Sequence, residues 1–360
     1  MIKKYQNYLI KLFIKNIILI SIVFIFLSFF LNIFEEIKFV ENYESNIIYP
    51  VILTFLNIPS IIFEILPFIF LISVMFFYIN LYEKEEIELL RANGVNNSKI
   101  TIAVSLTSII LGVLLIFIYY SLSSSLKNIY LNLKYSDTAS KDHLAVVNES
   151  VLWIKEKIGN SIYFVNARSF NNNDLKDITI TQLDEYYKPI KTIFSNSAYI
   201  KEKKWILSDV KIFSEEGKKN ISYNKYSYLS SFNGEIISNL YSNLNSLNIF
   251  ELHELKENYK SIGYSTTEVK LHLNKIYSLP IYLTLTTIIG SLLMFRLNYI
   301  KSKFFLVMIG VIISVVFYYI NYFSVLFGKN ETFPVEISVW LPQLLILLIC
   351  SLGLLRINES

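Results

Sequence analysis

The sequence has little of what soluble enzymes and small secreted domains rely on. Only 17% of its 360 residues are charged and 53% are hydrophobic, whereas an average globular chain is about 25% charged. The formal net charge of +4 is too small to indicate a polyanionic partner. The single cysteine, Cys350, has no partner in the chain for a disulfide bond. These absences exclude a disordered chain, a collagen-like fibre, a basic nucleic-acid-binding arm and a disulfide-stapled mini-domain.

Motifs for catalysis and for cofactor binding are also missing. No G-x-S-x-G nucleophile elbow and no G-x-x-x-x-G-K-[ST] phosphate loop occurs. The three histidines, His143, His253 and His272, are not followed by His or Cys at i+3 or i+4, the spacing typical of a helical metal site. We therefore expect no catalytic residue, no metal site and no cofactor bound by this chain.

Long apolar runs are what the sequence does have, and they lie in both terminal thirds. A helix needs about 20 mostly apolar residues to cross a bilayer, and six stretches meet this requirement. We do not interpret the first as a cleaved signal peptide, because it is too long and no small-residue cleavage site follows it. The six predicted spans are Asn16–Phe34, Ile61–Tyr82, Ile102–Tyr120, Ile276–Phe295, Phe304–Phe327 and Ile337–Leu355.

Lysine and arginine are unevenly distributed between the short loops on the two sides of these spans. One side holds Lys3, Lys4, Lys11, Lys15, Lys84, Arg91, Lys99, Arg296, Lys301, Lys303 and Arg356. The short loops of the other side hold only Lys38 and Lys329. Because basic loops stay in the cytoplasm, both termini are predicted to be cytoplasmic and the long middle segment to lie outside.

The middle segment, residues 123–275, has the pattern of a β domain. Four short β-prone runs are separated by turn-forming residues, which is typical of an antiparallel sandwich, a jelly roll or an open barrel. The runs are Ile162–Val165, Ile178–Thr181, Trp205–Ile212 and the stretch with Tyr223, Tyr226 and Tyr228; the turn signals are Gly159-Asn160, Asn171–Asp174 and Lys188-Pro189.

A helical period returns over residues 247–275, with apolar residues at Ile249, Leu252, Leu255 and Tyr259. Gly263 is predicted to end this helix and Thr267 to begin one that continues into the fourth span. The fold class is thus an α-helical membrane protein with six transmembrane helices, three on each side of an inserted all-β domain. The expected domains are a membrane part (1–122 and 276–360) and a β part (123–275) that includes the helical return.

The loop between the second and third spans, about residues 83–94, is predicted to form a short helix. Gly94 is a typical residue just after a helix C-terminus, and Lys84 and Glu88 have the spacing of an ion pair on one face. Ile87, Leu90 and Arg91 would share one side of the helix, and Glu86, Leu89 and Asn93 another. Two interpretations stay open, a solvated connector and a coupling helix that transmits the motion of a cytoplasmic motor.

Two charged residues near the predicted outer boundary are candidates for function. Lys38 follows the first span and is the only cation among Glu35, Glu36, Glu41 and Glu44. It either snorkels to the interface or contacts a phosphate, a task suited to a point charge on a flexible stem. Glu64 lies in the second span between Pro59 and Pro67, and an ionisable residue at membrane depth is a functional candidate by default.

Together these segments resemble the LptF/LptG permeases of the lipopolysaccharide export ABC transporter. Residues 86–95 look like the family's S-E-[LI]-x-x-[ML]-[RQ]-A-x-G-[VF] motif, and the Pro59/Pro67 pair looks like its second span. Ile37–Glu41 resembles the corresponding segment of LptG; Val151–Glu156 with Ile162–Val165 resembles the start of the family's β domain. The resemblance extends over nearly the whole chain and is closer to LptG than to LptF.

The resemblance implies a permease subunit that extracts lipopolysaccharide from the bacterial inner membrane and passes it to a periplasmic β-jellyroll bridge. It implies as partners a cytoplasmic LptB-like ATPase dimer that uses ATP and Mg²⁺, an LptF-like paralogue, a single-span LptC-like protein and a periplasmic LptA-like bridge. The residues implied for ATPase coupling are Glu86, Leu89, Leu90, Arg91, Ala92 and Gly94. The residues implied for lipid-headgroup contact are Lys38, Lys127 and Lys134.

Two alternatives remain within this reading. The first alternative is the LptF-type paralogue of the same complex. The second is a mechanotransmitting ABC subunit that passes no lipid itself. A membrane anchor or sensor would not need the pattern of residues 86–95.

Overall fold

A computed structural model describes residues 4–40, 48–136, 152–158, 161–171, 174–202, 204–214, 221–230, 232, 234, 243–261, 265–295 and 303–357. The helices are α1 (Lys4–Val40), α2 (Ile48–Glu83), α3 (Glu86–Ala92), α4 (Asn97–Leu114), α5 (Ser121–Ser136), α6 (Ile249–Ser261), α7 (Thr267–Met294), α8 (Lys303–Lys329) and α9 (Val335–Ile357). A π-helical segment, Leu115–Tyr120, joins α4 to α5, and a short 3₁₀ helix spans Leu244–Ser246. The strands are β1 (Leu152–Ile158), β2 (Ser161–Asn171), β3 (Asp174–Leu183), β4 (Pro189–Tyr199), β5 (Lys204–Ser214) and β6 (Ile221–Leu229).

Within these ranges six helices are long and apolar enough to cross a membrane, as predicted. They are α1, α2, α4 with its continuation to Lys134, α7, α8 and α9. The helices extend past the predicted spans: α1 has 37 residues, or about 55 Å at about 1.5 Å per residue. This exceeds a hydrocarbon core of about 30 Å, so one or both ends of α1 project beyond it.

Polar side chains set the register between the first two long helices. Asn80 Nδ2 donates to Asn16 Oδ1 at 3.0 Å, and Asn57 Nδ2 donates to Asn32 Oδ1 at 3.3 Å. The two pairs show that α1 and α2 run antiparallel. All four side chains are buried or half-buried, and burial in an apolar surrounding requires such partners for amide groups.

Small residues let α7 pack closely on its neighbours. A Cβ at Gly112 of α4 would lie 2.7 Å from the Cα of Pro280, and a Cβ at Gly290 would lie 2.3 Å from Cγ1 of Val74 in α2. Ser108 and Thr287 hydroxyls are 2.8 Å apart across the α4–α7 contact. Membrane helices gain little from apolar burial against lipid, so such close approach and hydrogen bonding hold them together.

The six strands form one antiparallel sheet in the order β1-β2-β3-β4-β5-β6. Every described pairing joins strands that are consecutive in the chain, so this part of the domain is a meander. All four β-prone runs lie in strands, as predicted; the turn predicted at Lys188-Pro189 lies just before it, at Glu185 and Tyr186, and Pro189 begins β4. Apolar side chains form the core of the sheet; its largest members are Trp205, Phe232, Tyr228, Leu175, Ile178 and Leu207.

The chain divides into two compact units. The membrane unit comprises Met1–Leu131, Asn245–Ile249 and Thr267–Ser360, and the β unit comprises Asn132–Leu244 and Phe250–Thr266. The helical return is present as α6, and α7 begins at Thr267 as predicted. Gly263, the predicted stop, lies outside the described residues, as do Glu41, Glu44 and the Gly159-Asn160 turn.

Candidate functional site

The loop after α2 forms the predicted short helix, and its backbone explains both ends. Glu85 adopts a left-handed conformation with φ 57°, which ends α2 and redirects the chain. After α3, Gly94 has φ +75° and donates its N–H to the Arg91 carbonyl at 2.9 Å, while Val95 donates to Leu90 at 2.9 Å. This is a Schellman motif, so Gly94 is the helix stop that the sequence indicated. Lys84 lies before the helix, so the predicted Lys84–Glu88 helical pair is wrong.

The faces of α3 differ from each other as the sequence suggested. Ile87 is buried with 1% exposure and anchors the helix, whereas Leu89 is 63% exposed. Leu90 is half-buried, and Glu88, Arg91, Ala92 and Gly94 are exposed. An exposed leucine within a short charged helix is suited to contact with another protein, because a large apolar side chain gains free energy by leaving water.

Glu86 is directed toward α1. The Tyr8 hydroxyl donates a 2.6 Å hydrogen bond to Glu86 Oε2, linking residues 78 positions apart. Lys303 at the start of α8 forms a 2.8 Å salt bridge with Glu83 at the end of α2. The helix α3 is thus connected to α1 by a side-chain hydrogen bond.

Two further bonds tie the end of α3 to the start of α4. Arg91 Nε donates to Asn97 Oδ1 at 3.2 Å, and Lys99 Nζ donates to the Gly94 carbonyl at 2.8 Å. Arg91 is therefore engaged within the chain while remaining exposed. The surface left for a partner consists of Glu88, Leu89, Ala92 and Asn93, which we call the α3 face.

A second group of charges lies at the opposite end of the membrane unit, where α1 ends at Val40. Glu36 is fully buried, and its Oε1 accepts a 2.7 Å hydrogen bond from the Tyr130 hydroxyl. Lys127 Nζ lies 4.5 Å from the centroid of the Tyr130 ring and donates to Asn57 Oδ1 at 2.6 Å. Asn57 in turn bonds Asn32. We call Glu36, Tyr130, Lys127, Asn57 and Asn32 the Val40-end network.

The three lysines predicted for headgroup contact have different surroundings. Lys127 belongs to the Val40-end network, where a cation over a tyrosine ring is favourable. Lys38 is exposed and forms no ion pair with any described residue. It lies two residues after buried Glu36, so a helix with 3.6 residues per turn places it on the other side of α1. Lys134 is half-buried, seven residues after Lys127 on α5.

In the β unit, a buried carboxylate joins the two edge strands. Glu156 of β1 is 4% exposed and accepts hydrogen bonds from the Tyr228 hydroxyl of β6 and from Ser230 Oγ, the latter at 3.1 Å. Burial, and next the Glu156 carboxylate, raise the pKa of Tyr228 above its ordinary value, so the phenol stays protonated and donates. These side-chain hydrogen bonds connect the first strand of the sheet to the last one.

Sequence reasoning missed the partners of these groups. Tyr8, Tyr130 and Tyr228 carry no motif, and each meets its carboxylate across more than 70 residues of chain. Glu36 was counted with the acidic outer loop, although the helical pattern of α1 continues to Val40. An acidic residue on the buried side of that extended helix is the signal that indicates an internal partner.

Comparison with known proteins now adds to this geometry. A family model described as "Lipopolysaccharide export system permease LptF/LptG" matches residues 7–356. A search of curated proteins gives no match.

Proposed function

The chain belongs to the LptF/LptG family of lipopolysaccharide export permeases, and we propose that it is the LptG-type member of its transporter. Family membership makes it a multi-pass protein of the inner membrane and a transporter subunit of the Lpt system. The finer proposal is that it extracts lipopolysaccharide from that membrane and delivers it to a periplasmic β-jellyroll bridge. In this orientation both termini and α3 are cytoplasmic and the β unit is periplasmic.

The observation that carries the proposal is the α3 face. The chain has no phosphate-loop motif, so the energy for extraction must come from a partner. A short helix held by Ile87, closed by Gly94 and connected to α1 by Tyr8–Glu86 is suited to receive that energy. We propose that an LptB-like ATPase dimer binds the α3 face and that its motion passes through Glu86 to α1.

The lipid's own chemistry explains why extraction needs work. Each acyl CH₂ that leaves the bilayer costs about 0.8 kcal/mol, so a lipid with several chains does not leave unaided. The long helices α1, α8 and α9 expose many large apolar side chains, for example Phe26, Leu31 and Phe323. The π-helical segment between α4 and α5 exposes Phe117. We propose that these faces meet acyl chains and the paralogous permease.

The remaining partners follow from the same proposal. An LptF-like paralogue packs against the exposed apolar helix faces and with them encloses the lipid, a single-span LptC-like protein accompanies it, and an LptA-like protein continues the β bridge. The family model does not separate LptG from LptF, so the LptF-type role is the alternative within the same complex.

Purification with partners tests this function. The tagged chain is expressed from its native locus, solubilised and analysed for bound proteins. We expect an ABC ATPase and a second six-span permease to co-purify. In proteoliposomes the complex should release lipopolysaccharide to a soluble β-bridge acceptor only with ATP, and the same vesicles without the ATPase provide the control. ATP hydrolysis without lipid release would instead indicate a mechanotransmitting subunit.

A further inference from the structure

A cavity of about 140 Å³ lies inside the membrane unit, between α2, α7, α8 and α9. It is separate from the α3 face and from the Val40-end network, and none of its residues was assigned to coupling or to lipid headgroup contact. An apolar cavity of about 150 Å³ holds a ligand the size of benzene. This one therefore has room for about six non-hydrogen atoms.

One wall of the cavity carries a buried hydrogen-bond acceptor that no described residue satisfies. Gln343 is 4% exposed, and its Oε1 has no hydrogen-bond partner among the described residues. The amide orientation is fixed by its neighbour: Asn321 Nδ2 donates to the Phe317 carbonyl at 2.9 Å, so Asn321 Oδ1 faces Gln343 and accepts from its Nε2 at 3.1 Å. A buried acceptor of this kind is unfavourable unless a donor reaches it.

Two opposite charges line the same cavity without neutralising each other. Glu64 of α2 accepts a hydrogen bond from Asn245 Nδ2 at 3.0 Å, and Lys275 of α7 lies on the cavity wall. Among the described residues neither forms an ion pair within 4 Å. A carboxylate from α2 and an ammonium from α7 that line one cavity complement a ligand that carries both a cation and an anion.

Aromatic rings and a fixed histidine complete the surroundings. The Phe68 and Tyr318 ring centroids are 6.2 Å apart, and Tyr318 and Tyr322 stack at 6.4 Å. Aromatic faces beside a carboxylate are a typical environment for an ammonium group. His272, also on the wall, lies 2.9 Å from the hydroxyl of Tyr120, which itself donates to the Leu247 carbonyl at 3.0 Å.

We propose that this cavity binds the phosphoethanolamine headgroup of a membrane phospholipid. The primary ammonium donates hydrogen bonds to Gln343 Oε1 and Glu64, and the phosphate pairs with Lys275. The nitrogen, the two carbons and the ester oxygen fit the available volume, while the phosphate reaches the exposed Lys275 at the edge of the cavity and the acyl chains remain in the bilayer. The site needs only a chain embedded in a phospholipid membrane, so it does not depend on the proposed export function.

Headgroup selection by the purified full-length chain, with whatever partners accompany it, tests the proposal. Delipidated protein is titrated with short-chain phosphatidylethanolamine, phosphatidylcholine or phosphatidylglycerol, and bound lipid is counted by native mass spectrometry. We expect phosphatidylethanolamine to bind at least about tenfold more tightly than the other two, the effect of losing one hydrogen bond to a charged group. The choline ammonium has no N–H to donate, and phosphatidylglycerol has no cation.

Variants assign the two ends of the headgroup. Gln343→Met and Glu64→Gln should weaken phosphatidylethanolamine binding about tenfold and leave phosphatidylglycerol unchanged, whereas Lys275→Gln should weaken both. The matched control is Glu268→Gln, which removes an α7 carboxylate from an exposed 2.8 Å pair with Lys329 and should change neither.

Gln343→Met also has a signature in stability. The lipid-free variant should melt close to the temperature of the wild type, because the unsatisfied Oε1 and the Nε2 donor to Asn321 are removed together, while added phosphatidylethanolamine should stabilise it less. Equal binding of all three lipids by the wild type, or unchanged phosphatidylethanolamine binding by Gln343→Met, would overturn the proposal. Failure of the chain to co-purify with an ATPase would overturn the export function and leave this result intact.

Discussion

The two ends of the membrane unit treat charged side chains differently. At the α3 end, Glu83, Glu88 and Arg91 are exposed and Lys303 is half-buried, and an apolar side chain, Leu89, is also exposed there. At the Val40 end, Glu36 is fully buried and Lys127 is half-buried, each with a hydrogen-bond partner on another helix. The α3 end therefore keeps a surface that another protein can contact. At the Val40 end the charged side chains instead connect α1, α2 and α5.

The difference has a physical origin in the cost of burying a carboxylate. A charged group taken out of water must be paired and hydrogen-bonded, or the fold loses several kcal/mol. Glu36 therefore cannot leave its hydrogen-bond partner without a large cost in free energy, whereas an exposed charge can exchange its partner for water. We infer that the α3 end moves or docks with little internal cost, while the Val40 end keeps its helices in register.

The largest expected effect is loss of the partner at the α3 face. Leu89→Asp places a charge where we expect an apolar contact, and we predict that co-purification of the ATPase falls at least tenfold. Leu89 makes no core contact, so the melting temperature of the chain itself should hardly change, as is usual for exposed positions. Glu86→Lys should also release or uncouple the ATPase, because it reverses the charge at the Tyr8 bond.

An exposed position on the β unit supplies the control for this comparison. Ile206→Asp changes a 44% exposed apolar side chain far along the chain from α3 and should leave the ATPase bound. Retention of the ATPase and of normal transport by both α3 variants would mean that α3 is only a connector.

The second prediction concerns the Val40-end network. Tyr130→Phe removes a donor to buried Glu36, and we expect a loss of ~2 kcal/mol in the stability of the membrane unit, the typical contribution of a hydrogen bond to a charged group. Glu36→Gln should cost less, since a neutral amide still accepts from the phenol. Thermal unfolding of the purified chain measures both. Equal and negligible shifts would show that Glu36 is not held as the structure indicates.

The third prediction is smaller and tests the connection from α3 to α1. Tyr8→Phe keeps the ring and removes the hydroxyl that bonds Glu86. Because this bond is exposed, we expect ~0.5 kcal/mol or less in stability. ATPase binding should persist while lipid release per ATP falls. Tyr5→Phe, a neighbouring phenol on α1, is the control. A parallel fall in binding and release would place Glu86 in the partner contact itself.

The sequence predicted most of the fold and the local features of the candidate site. Apolar run length sufficed for the six spans, and β-prone runs between turns sufficed for the sheet, because both signals are local. Gly94 and the α3 faces were also predictable from local pattern. The Glu36–Tyr130 and Glu156–Tyr228 hydrogen bonds could not be predicted, because the two residues of each pair are far apart in the chain. Tertiary packing brings them together, and no local sequence pattern indicates it. Predicted roles for Lys38, Lys127 and Lys134 in lipid contact stay predictions.

The last prediction concerns Lys38 and has the smallest expected effect on assembly. It tests whether this lysine has a role distinct from that of the Val40-end network. Lys38 is exposed on the side of α1 opposite Glu36, where a lipid phosphate can reach it. Charge-assisted hydrogen bonds are about twice as strong as neutral ones, so growth on the variant alone should decline from Lys38→Arg through Lys38→Gln to Lys38→Glu. All three should assemble and hydrolyse ATP. A photoreactive residue at position 38 should crosslink lipopolysaccharide, whereas one at position 89, exposed on α3 at the opposite end of the membrane unit, should do so less. Full growth of Lys38→Glu together with no crosslink at position 38 would show that this lysine only snorkels to the membrane interface, and that the lipid phosphates are held elsewhere.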